Sequence, residues 1–452
     1  MAVTRYWAEY AWLGGDTPAA DVLIEYQAGR FTTVAPGVPA PANAVQLAGL
    51  TLPGLANAHS HAFHRALRGR TARGANQGTY WNWREQMYAV ADRLDPDSYH
   101  ELATAVYAEM ALAGITCVGE FNYLHHAPGG RRYADPNAMS EALVAAAASA
   151  GIRITLLDSC YLTATVDGAP LEGPQLRFGD GDAAAWAARV HDFRVNGRHA
   201  RLGAAIHSIR AVPAGQLPDI VAASTGRPLH THVCEQPAEV EASLLHYGRT
   251  PVAVFAGAGV LRPGATAVHA THLTEADRAE LSASGAAVCL CPTTERDLGD
   301  GIGPGRALAD SGVPLCLGTD SQVTIDLFQE AAAVEAHERL RTGRRGHFTA
   351  DELLTAATAA GHAALGWADA GRIAVGARAD LVTVALTTPR TAGADPANLI
   401  FTATAADVTT VLIDGRPVVR EGQHEAMPDL AARLAHCVTA VNPDQRRRAA
   451  LR

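Results

Sequence analysis

The side chains best suited to chemistry in this sequence are those of two histidines separated by one residue, His59 and His61. They follow an apolar run, residues 52–58, that has the composition of a buried β-strand. Side chains at positions i and i+2 of a strand point to the same face, so both imidazoles project together. Two neutral imidazoles that converge from one strand end suit a borderline divalent metal such as zinc. Such pairs also arise by chance, so the interpretation needs further ligands.

Later apolar segments supply those ligands at their ends. Residues 228–232 end in His232, and Glu235 follows three positions later. Residues 267–269 end in His269, and residues 317–320 end in Asp320. Taken singly, a strand-end histidine is more often a hydrogen-bonded core residue, and an aspartate after Gly-Thr is often a helix N-cap. The combination on separate segments predicts a metal site made of His59, His61, His232 and Asp320.

Three imidazoles and one carboxylate leave a coordination position for water, which is typical of a catalytic site and not of a closed structural one. A metal lowers the pKa of bound water from about 15.7 towards about 7, which provides hydroxide at neutral pH. Asp320 is placed to take the proton of that water. Glu235 can carry a proton to a leaving nitrogen, and His269 can donate a hydrogen bond to the developing tetrahedral centre. His230, on the same face as His232, is interpreted as structural.

Eight short apolar segments with helix-like stretches between them must position these residues. The segments end near His61, Glu120, Asp158, His207, His232, His269, Cys291 and Asp320. Thr274 and Asp277 have the spacing of a capping box for a helix that ends at Gly285, and Thr349 and Glu352 begin another helix. The α/β alternation over residues 52–365 predicts a (β/α)₈ TIM-like barrel, with a doubly wound sheet as the alternative. Barrel enzymes build their active sites at the C-terminal ends of the strands, where these polar residues cluster.

The two flanks differ from the barrel segment in being β-prone and rich in turns. We interpret residues 1–50 and 372–424 as one small β-sandwich domain built from both chain ends, and residues 51–371 as the barrel. Asp414-Gly415 has the composition of a hairpin turn. Residues 425–452 are predicted to form a helical tail, in which the basic run 446–448 is a solvated helix end.

Composition narrows the class of function. A net charge of -9 and a pI near 6.1 argue against nucleic acid or an anionic membrane as the main partner. The N-terminus lacks a signal-peptide pattern and no apolar run is long enough to span a membrane, so we expect a cytoplasmic protein. Seven cysteines, an odd number, are typical of reduced, buried thiols. Cys289 and Cys291 are interpreted as alternate residues of a buried strand.

The sequence contains no lysine, so all 37 basic residues are arginine. Mechanisms that depend on a phosphate-binding lysine, a Schiff base or a carbamylated lysine that bridges two metals are therefore excluded. Any chemistry must use His, Asp, Glu, Arg and a metal.

This set of residues resembles the amidohydrolase superfamily over essentially the whole chain, including the return to the small domain at residues 371–381. Because no lysine is available, it resembles the one-metal deaminase branch. The resemblance implies one divalent metal per chain, most often Zn²⁺ with Fe²⁺ as the alternative, and a homodimer. It also implies that His59, His61, His232 and Asp320 are the ligands and that Glu235, His269 and Asp320 are catalytic.

Arginines near the strand ends indicate the substrate class. Arg210 lies just beyond the fourth strand and Arg84 lies in the loop after the first. A pocket with guanidinium groups and a phenol suits a small substrate that bears carboxylates, because arginine binds carboxylate through two parallel hydrogen bonds. Whether Arg84 serves its own pocket or that of a neighbouring subunit is left open.

Residues 63–69, 81–88, 118–126 and 291–301 resemble the formimidoylglutamate deiminase family. That resemblance implies hydrolysis of N-formimino-L-glutamate to N-formyl-L-glutamate and ammonia in histidine degradation, by attack of hydroxide on the formimino carbon. It further implies that Arg84, Tyr123, His207 and Arg210 hold the two carboxylates. His64 stands where the family often has glutamine, and we treat it as a substrate-binding candidate.

Three alternatives are open at this point. Another one-metal amidohydrolase would deaminate a purine, pyrimidine or triazine-like base. A two-metal lactonase or peptidase would bind two ions per chain. A non-catalytic barrel scaffold usually loses metal ligands, whereas this sequence keeps all four.

Overall fold

Two eight-stranded sheets organise the residues that the computed structural model describes, 4–71 and 80–442. The N-terminal strands are β1 Thr4–Ala11, β2 Ala19–Gln27, β3 Arg30–Ala35 and β4 Val45–Pro53. The next eight are β5 Leu55–Ser60, β6 Ile115–Asn122, β7 Arg153–Cys160, β8 Ala200–Ile206, β9 Leu229–Val233, β10 Ala265–His269, β11 Ala287–Leu290 and β12 Leu315–Leu317. The last are β13 Leu381–Val384, β14 Val408–Ile413, β15 Arg416–Arg420 and β16 Gln423–His424.

Helices connect the strands of the second group and cover its outside. The α-helices are α1 Tyr80–Ala91, α2 Pro96–Leu112, α3 Ala138–Ala150, α4 Ala183–Asp192, α5 Leu217–Ala223, α6 Pro237–Tyr247, α7 Pro251–Gly257, α8 Glu275–Ser284, α9 Pro292–Leu298, α10 Gly305–Asp310, α11 Leu327–Thr342, α12 Ala350–Thr355, α13 Gly361–Ala364 and α14 Leu430–Val441. Six short 3₁₀ segments lie at Ala62–Leu67, Pro128–Gly130, Gly173–Arg177, Ala214–Gln216, Pro396–Phe401 and Ala405–Asp407, and a π-helical turn at Ala356–Ala360.

Strands β5 to β12 form the predicted barrel. They pair in parallel and in chain order, from β5 at one end of the row to β12 at the other. The row closes beyond these two strands, where Thr319 N donates to His59 O at 3.1 Å and His61 N donates to Asp320 O at 3.1 Å. A sequential order with its ends joined confirms the barrel and excludes a doubly wound sheet. Residues of β5, β6 and β7 are buried on both faces, as expected inside a ring of helices.

The helix signals in the sequence mark real helix ends. Thr274 and Asp277 form the reciprocal capping box at the start of α8, and Gly285 ends that helix in the left-handed conformation, at φ 69°. Thr349 and Glu352 form the same box at the start of α12. These signals act within one turn of helix, so tertiary packing does not need to create them.

The small domain draws its strands from both ends of the chain, as predicted. One continuous mixed sheet has the order β16-β15-β14-β13-β4-β1-β2-β3, in which β4 links the C-terminal strands to the N-terminal ones. Asp414 and Gly415 connect β14 to β15 with positive φ at both positions, 50° and 74°. A two-residue hairpin of this kind explains the Asp-Gly pair.

The C-terminal helix α14 packs on the barrel, where the Asn442 amide donates to the carbonyl of Ala66 at 3.0 Å. The predicted solvated run 446–448 lies outside the described residues. Among the described helices, none combines the length and the apolar character that a membrane crossing requires.

Candidate metal centre and active site

The four predicted ligands meet at the C-terminal end of the barrel. His59 lies on β5 and His61 directly follows that strand, while His232 lies on β9. Asp320 follows β12 by three residues. At most 5% of each of these residues is exposed. His59 and Asp320 are 261 positions apart in the sequence, and they meet at this buried site because β12 lies beside β5 in the closed barrel.

Distances within this group suit one ion. His59 Nε2 lies 3.1 Å from His232 Nε2, and Asp320 Oδ1 lies 3.4 Å from the Nε2 atoms of both His59 and His61. One potential ligand atom from each of the four residues lies within 4.8 Å of the others. This is the arrangement that a small divalent cation requires.

The protonation of the imidazoles also fits a cation. His61 Nδ1 donates to the carbonyl of Phe121 at 2.8 Å, and His232 Nδ1 donates to the carbonyl of His207 at 2.7 Å. Burial holds the pKa of His59, His61 and His232 well below its usual range, so the rings are neutral. With the proton on Nδ1, each bonded ring turns an Nε2 lone pair to the centre. Backbone carbonyls that orient ligating histidines in this way are usual around metals.

Backbone geometry at the site is unusual. His269 and Asp320 have positive φ values of 69° and 42°, a region that non-glycine residues seldom adopt. Gly318 passes so close to β5 that an added Cβ would lie 2.7 Å from the Cβ of His59. Glycine at position 318 therefore allows the strand before Asp320 to approach the His59 ligand.

His269 and Glu235 form an acid–base pair beside the ligands. His269 Nε2 lies 3.8 Å from Glu235 Oε1 and 3.7 Å from Asp320 Oδ2. Burial alone would lower the pKa of His269, but the charges of Glu235 and Asp320 and a hydrogen bond to Glu295 outweigh it and raise that pKa to about 10. Burial raises the pKa of Glu235, against the opposing effect of His269 and Arg210. Groups whose environments shift their pKa values in this way are typical of catalytic sites.

A buried cavity opens onto this centre. Its lining contains the predicted substrate residues His64, Arg84, Tyr123, His207 and Arg210, together with Glu235, His269 and Asp320. The structure thus brings all of these sequence-predicted residues into one chamber. Arg84 lines the cavity of its own chain.

Arg210 lies between two carboxylates at the side of this cavity. Its Nε donates to Glu239 Oε2 at 3.2 Å, and its Nη2 lies 3.9 Å from Glu235 Oε2. Glu239 is itself held by the backbone N–H of Cys234 at 3.3 Å. The guanidinium is therefore fixed in place from helix α6, and it faces the same chamber as the acid–base pair.

Tyr123, His64 and His207 also line the cavity. His64 Nε2 and the Tyr123 hydroxyl are 2.9 Å apart, and burial lowers the pKa of His64 to about 4. The His207 ring packs 4.4 Å from the ring of Tyr161 and 5.3 Å from that of Tyr123, measured between centroids. His230 instead bonds to the carbonyl of Ala364 at 3.0 Å, which agrees with its structural interpretation.

Sequence reasoning missed several residues of the site. Glu295, on α9, accepts from His269 Nδ1 at 3.3 Å and from the backbone of Cys291 at 2.9 Å, so it orients the histidine. The remaining wall of the cavity is formed by Trp83, Met87, Tyr88, Tyr161, Phe178 and Leu298. Glu295 and Leu298 lie within the segment 291–301 that carried the family resemblance. Tyr161 and Phe178 lie in a long connection with no local pattern that would identify them.

Comparison with known proteins points to one family. The model of the amidohydrolase family matches residues 50–418. Formimidoylglutamate deiminase of Pseudomonas aeruginosa is 37% identical over 396 residues, which cover 84% of this chain and 87% of the relative. The crystal structure of an amidohydrolase from Brucella melitensis superimposes with a TM-score of 0.89 at 30% identity, covering 97% of this chain and 99% of that one. An adenosine deaminase from Xanthomonas campestris with bound zinc gives a TM-score of 0.81 at 26% identity, with 97% of each chain covered.

Proposed function

Because the chain belongs to the amidohydrolase family and is a hydrolase acting on C–N bonds, we propose that it converts N-formimino-L-glutamate to N-formyl-L-glutamate and ammonia. One observation carries the choice of substrate. Two arginines, Arg84 and Arg210, line the same buried cavity as Glu235 and His269. Guanidinium groups beside the reacting centre suit a substrate with carboxylates, since they pair with both oxygens of a carboxylate. The relative from Pseudomonas aeruginosa supports the same choice.

One divalent metal belongs to this proposal, most often zinc in sites of this composition. His59, His61, His232 and Asp320 would hold it. When bound, such an ion lowers the pKa of a water molecule so that hydroxide is available near neutral pH.

The residues of the chain account for the proton transfers. Addition of water to the formimino carbon forms a C–O bond, and Asp320 accepts the proton that the attacking oxygen loses. His269 donates a hydrogen bond to the tetrahedral centre through Nε2. Glu235, which lies 3.8 Å from His269, gives its proton to the terminal nitrogen as the C=N π bond opens, which leaves an amine on the tetrahedral carbon. The hydroxyl of the tetrahedral centre then loses its proton, and Glu235 carries this proton to the amine. The C–N bond to that amine breaks, ammonia leaves, and the formyl C=O bond forms. Return of the proton from Asp320 to Glu235 restores both carboxyl groups.

Arg84 and Arg210 have a different task in this scheme. They bind the carboxylates of the glutamate part, with Tyr123 and His207 as further hydrogen-bonding partners. The formimino end then points at Glu235 and His269. Because both ends of the substrate are held, the reacting carbon is fixed in place, and this reduces the entropic part of the activation free energy.

The direct test is ammonia release by the purified, zinc-loaded protein from N-formimino-L-glutamate, with guanine, cytosine and S-adenosylhomocysteine as competing substrates. We expect release from N-formimino-L-glutamate only. Arg210→Met should raise KM by about 10- to 100-fold, which corresponds to the loss of a charge-assisted pair of hydrogen bonds. Arg131→Met, at an exposed position, is the matched control and should behave like the wild type.

Aromatic residues in the cavity wall favour one alternative, a base deaminase related to the adenosine deaminase from Xanthomonas campestris. Trp83, Tyr88 and Phe178 offer faces on which a purine or pyrimidine can stack. Turnover of a base that is insensitive to Arg210→Met would support this alternative and contradict the proposed substrate.

A further inference from the structure

We propose that the active site also hydrolyses N-formimino-glutamyl groups that continue into a peptide, and that a second cavity beside the first binds the added residue. The bond that breaks is the same C–N bond to the terminal nitrogen, so water and the peptide give an N-formyl peptide and ammonia. This inference rests on the proposed function, because it assumes that the formimino end binds beside Glu235 and His269.

The second cavity, which we name the outer chamber, adjoins the buried cavity of the active site. Arg84, Tyr88 and Arg210 line both spaces. The wall of the outer chamber also contains residues 164–166, Gln175 and the beginning of helix α6. The two arginines that are proposed to hold the carboxylates therefore lie at the boundary between the two spaces.

The volumes of the two spaces divide the proposed substrate between them. The inner cavity has a volume of about 40 Å³. Because one water-sized group needs about 10–15 Å³, about three such groups fit there, which is the size of the N–C–N unit of a formimino group. The outer chamber has a volume of about 310 Å³. The other nine non-hydrogen atoms of N-formimino-L-glutamate need roughly 90–135 Å³ by the same measure, so more than half of the outer chamber stays unfilled.

The outer chamber also leads towards solvent. Glu235, at the reacting centre, is buried. Arg84 and Arg210, at the boundary, are half-buried, and Thr165 and Ala238, in the wall of the outer chamber, are exposed. A substrate that is longer than glutamate can therefore extend outward while its formimino end stays at the reacting centre.

One polar atom in the wall suits an amide and not a carboxylate. Gln236 Nε2 donates to Asp300 Oδ1, which fixes the orientation of the side-chain amide. Within the part of the chain that the structure describes, no group donates a hydrogen bond to Gln236 Oε1. A carbonyl oxygen only accepts hydrogen bonds, so this atom attracts the N–H of a peptide bond and repels a carboxylate.

Small side chains make room for the added residue. Ala238 and Ala242 lie one turn apart on α6, and both line the outer chamber with methyl groups. Gln175 Nε2 donates to the hydroxyls of Tyr88 at 3.1 Å and Tyr161 at 3.3 Å, which holds the tyrosine at the boundary in place. The added residue should therefore lie beyond this boundary, against the two alanines.

The test measures ammonia release by zinc-loaded full-length protein from N-formimino-L-glutamate, N-formimino-L-glutamyl-glycine and the γ-linked isomer of that dipeptide. The two isomers distinguish which carboxylate of the glutamate faces the outer chamber. We expect kcat/KM for one isomer to lie within about 100-fold of that for N-formimino-L-glutamate, since exchange of one carboxylate for an amide costs at most one charge-assisted pair of hydrogen bonds.

Two variants fill the outer chamber. Ala238→Phe and Ala242→Phe place a ring where the added residue should lie, so the ratio of kcat/KM for the dipeptide to kcat/KM for N-formimino-L-glutamate should fall by about 10-fold or more. Ala283→Phe, at an exposed position of α8 outside the chamber, is the matched control and should keep the ratio of the wild type. Circular dichroism and zinc content show that each variant is folded.

An ester analogue tests the role of Gln236 without a change in the protein. Replacement of glycine by glycolate in the accepted isomer exchanges the peptide N–H for an oxygen atom. Loss of the hydrogen bond to Gln236 Oε1 should lower kcat/KM by about 3- to 10-fold. Equal kcat/KM for the ester and the amide would contradict this contact.

Binding of the product peptide N-formyl-L-glutamyl-glycine and of its γ-linked isomer, measured by calorimetry on the same samples, separates this inference from the proposed function. Release of ammonia from N-formimino-L-glutamate alone, without binding of either peptide, overturns the inference and leaves the proposed function supported. An unchanged ratio in both phenylalanine variants also overturns it. A protein that binds one peptide, loses that binding in Ala242→Phe and releases no ammonia contradicts the proposed function and supports the outer chamber as a peptide site. Neither release nor binding contradicts both.

Discussion

Individual residues of the site divide into two groups with opposite electrostatic character. His59, His61 and His232 are neutral, because burial disfavours their charged forms. His269 has a raised pKa, because the carboxylates around it outweigh burial. Neutral rings can bind a metal, and a ring that holds its proton can donate a hydrogen bond. The same residue type thus serves two purposes a few ångströms apart.

Glu235→Gln tests the proton-transfer role at this scale. Glutamine keeps the size of the side chain but cannot deliver a proton, so kcat should fall by about 10²- to 10⁴-fold. The zinc content should stay the same, since Glu235 is not one of the four ligands. Stopped-flow or coupled assays of ammonia release give kcat, and elemental analysis gives the metal.

Glu241→Gln, on the helix α6 that follows Glu235, is the matched control, because its side chain is exposed. It should leave kcat unchanged. Equal rates for Glu235→Gln and the wild type would show that another group carries the proton.

At the scale of elements, neighbouring strands hold the metal-binding end of β5. Glu120, on β6, accepts from Ser60 Oγ and from the backbone N–H of Ala62, both at 2.7 Å. Gln322, beyond β12, donates to the same Ser60 hydroxyl at 2.8 Å. The turn that contains His61 is therefore tied to both of its neighbours in the barrel.

Loss of the hydrogen bonds to Glu120 should weaken metal binding even though all four predicted ligands remain. Glu120→Ala leaves the N–H of Ala62 and the hydroxyl of Ser60 without their buried acceptor, so the two histidines lose part of their orientation. We expect the affinity for zinc to fall by about 10- to 100-fold, the usual effect of such supporting residues.

Competition with a chromophoric chelator measures the affinity of this variant. Glu101→Ala, at an exposed position of α2, is the control and should match the wild type. An unchanged zinc affinity in Glu120→Ala would mean that the turn keeps its shape without the carboxylate.

A second buried carboxylate links two helices and makes stability depend on pH. Glu330, on α11, accepts from the backbone N–H of Thr293 in the first turn of α9 at 2.9 Å. Burial raises the pKa of Glu330 from 4.5 to about 8. The folded protein therefore holds this proton more tightly than the unfolded chain, and the free energy of unfolding should fall as pH rises from about 4.5 to about 8.

Glu330→Gln should reduce this dependence, because glutamine does not titrate. Urea denaturation midpoints at pH 6 and pH 8.5 measure the difference, with exposed Glu280→Gln as the control. The same decline in the wild type and in Glu330→Gln would assign the pH dependence to other groups.

At the scale of the whole molecule, one buried arginine connects the barrel to the small domain. Arg153 begins β7 and is fully buried. Its Nη2 donates to Asp380 Oδ1 at 3.0 Å and to Asp414 Oδ1 at 2.5 Å, and both aspartates belong to the small domain. The Trp367 ring lies 5.6 Å from the guanidinium carbon. Charge and packing therefore join the two units far from the active site.

Asp380→Asn should lower the free energy of unfolding without a change in kcat. The change leaves a buried guanidinium with only part of its counter-charge, which costs about 3 kcal/mol in comparable pairs. Chemical denaturation should show this loss, with kcat unchanged for the folded fraction. Asp429→Asn, which breaks an exposed ion pair with Arg433, should have no measurable effect. A kcat that falls together with stability would show that the junction influences the site.

Much of this organisation was predictable from the sequence, because it depends on local geometry. Strand-end histidines two positions apart must share a face, capping boxes act within one helical turn, and the Asp414-Gly415 pair suits a tight hairpin. Eight such strands with helices between them have few ways to pack, so the barrel and the meeting of its strand ends followed. The predicted ligands lie together for that reason.

Other contacts join segments that are far apart in the sequence, so they depend on the tertiary structure. Glu295 reaches both His269 and Cys291, and Asp320 turns one oxygen to each of two groups, because the barrel closes between β12 and β5. Tyr161 and Phe178 enter the cavity from a long connection whose course no local pattern describes. A sequence records which residues repeat at a strand or helix period. It does not record which side chains from different strands become neighbours once the ring has closed.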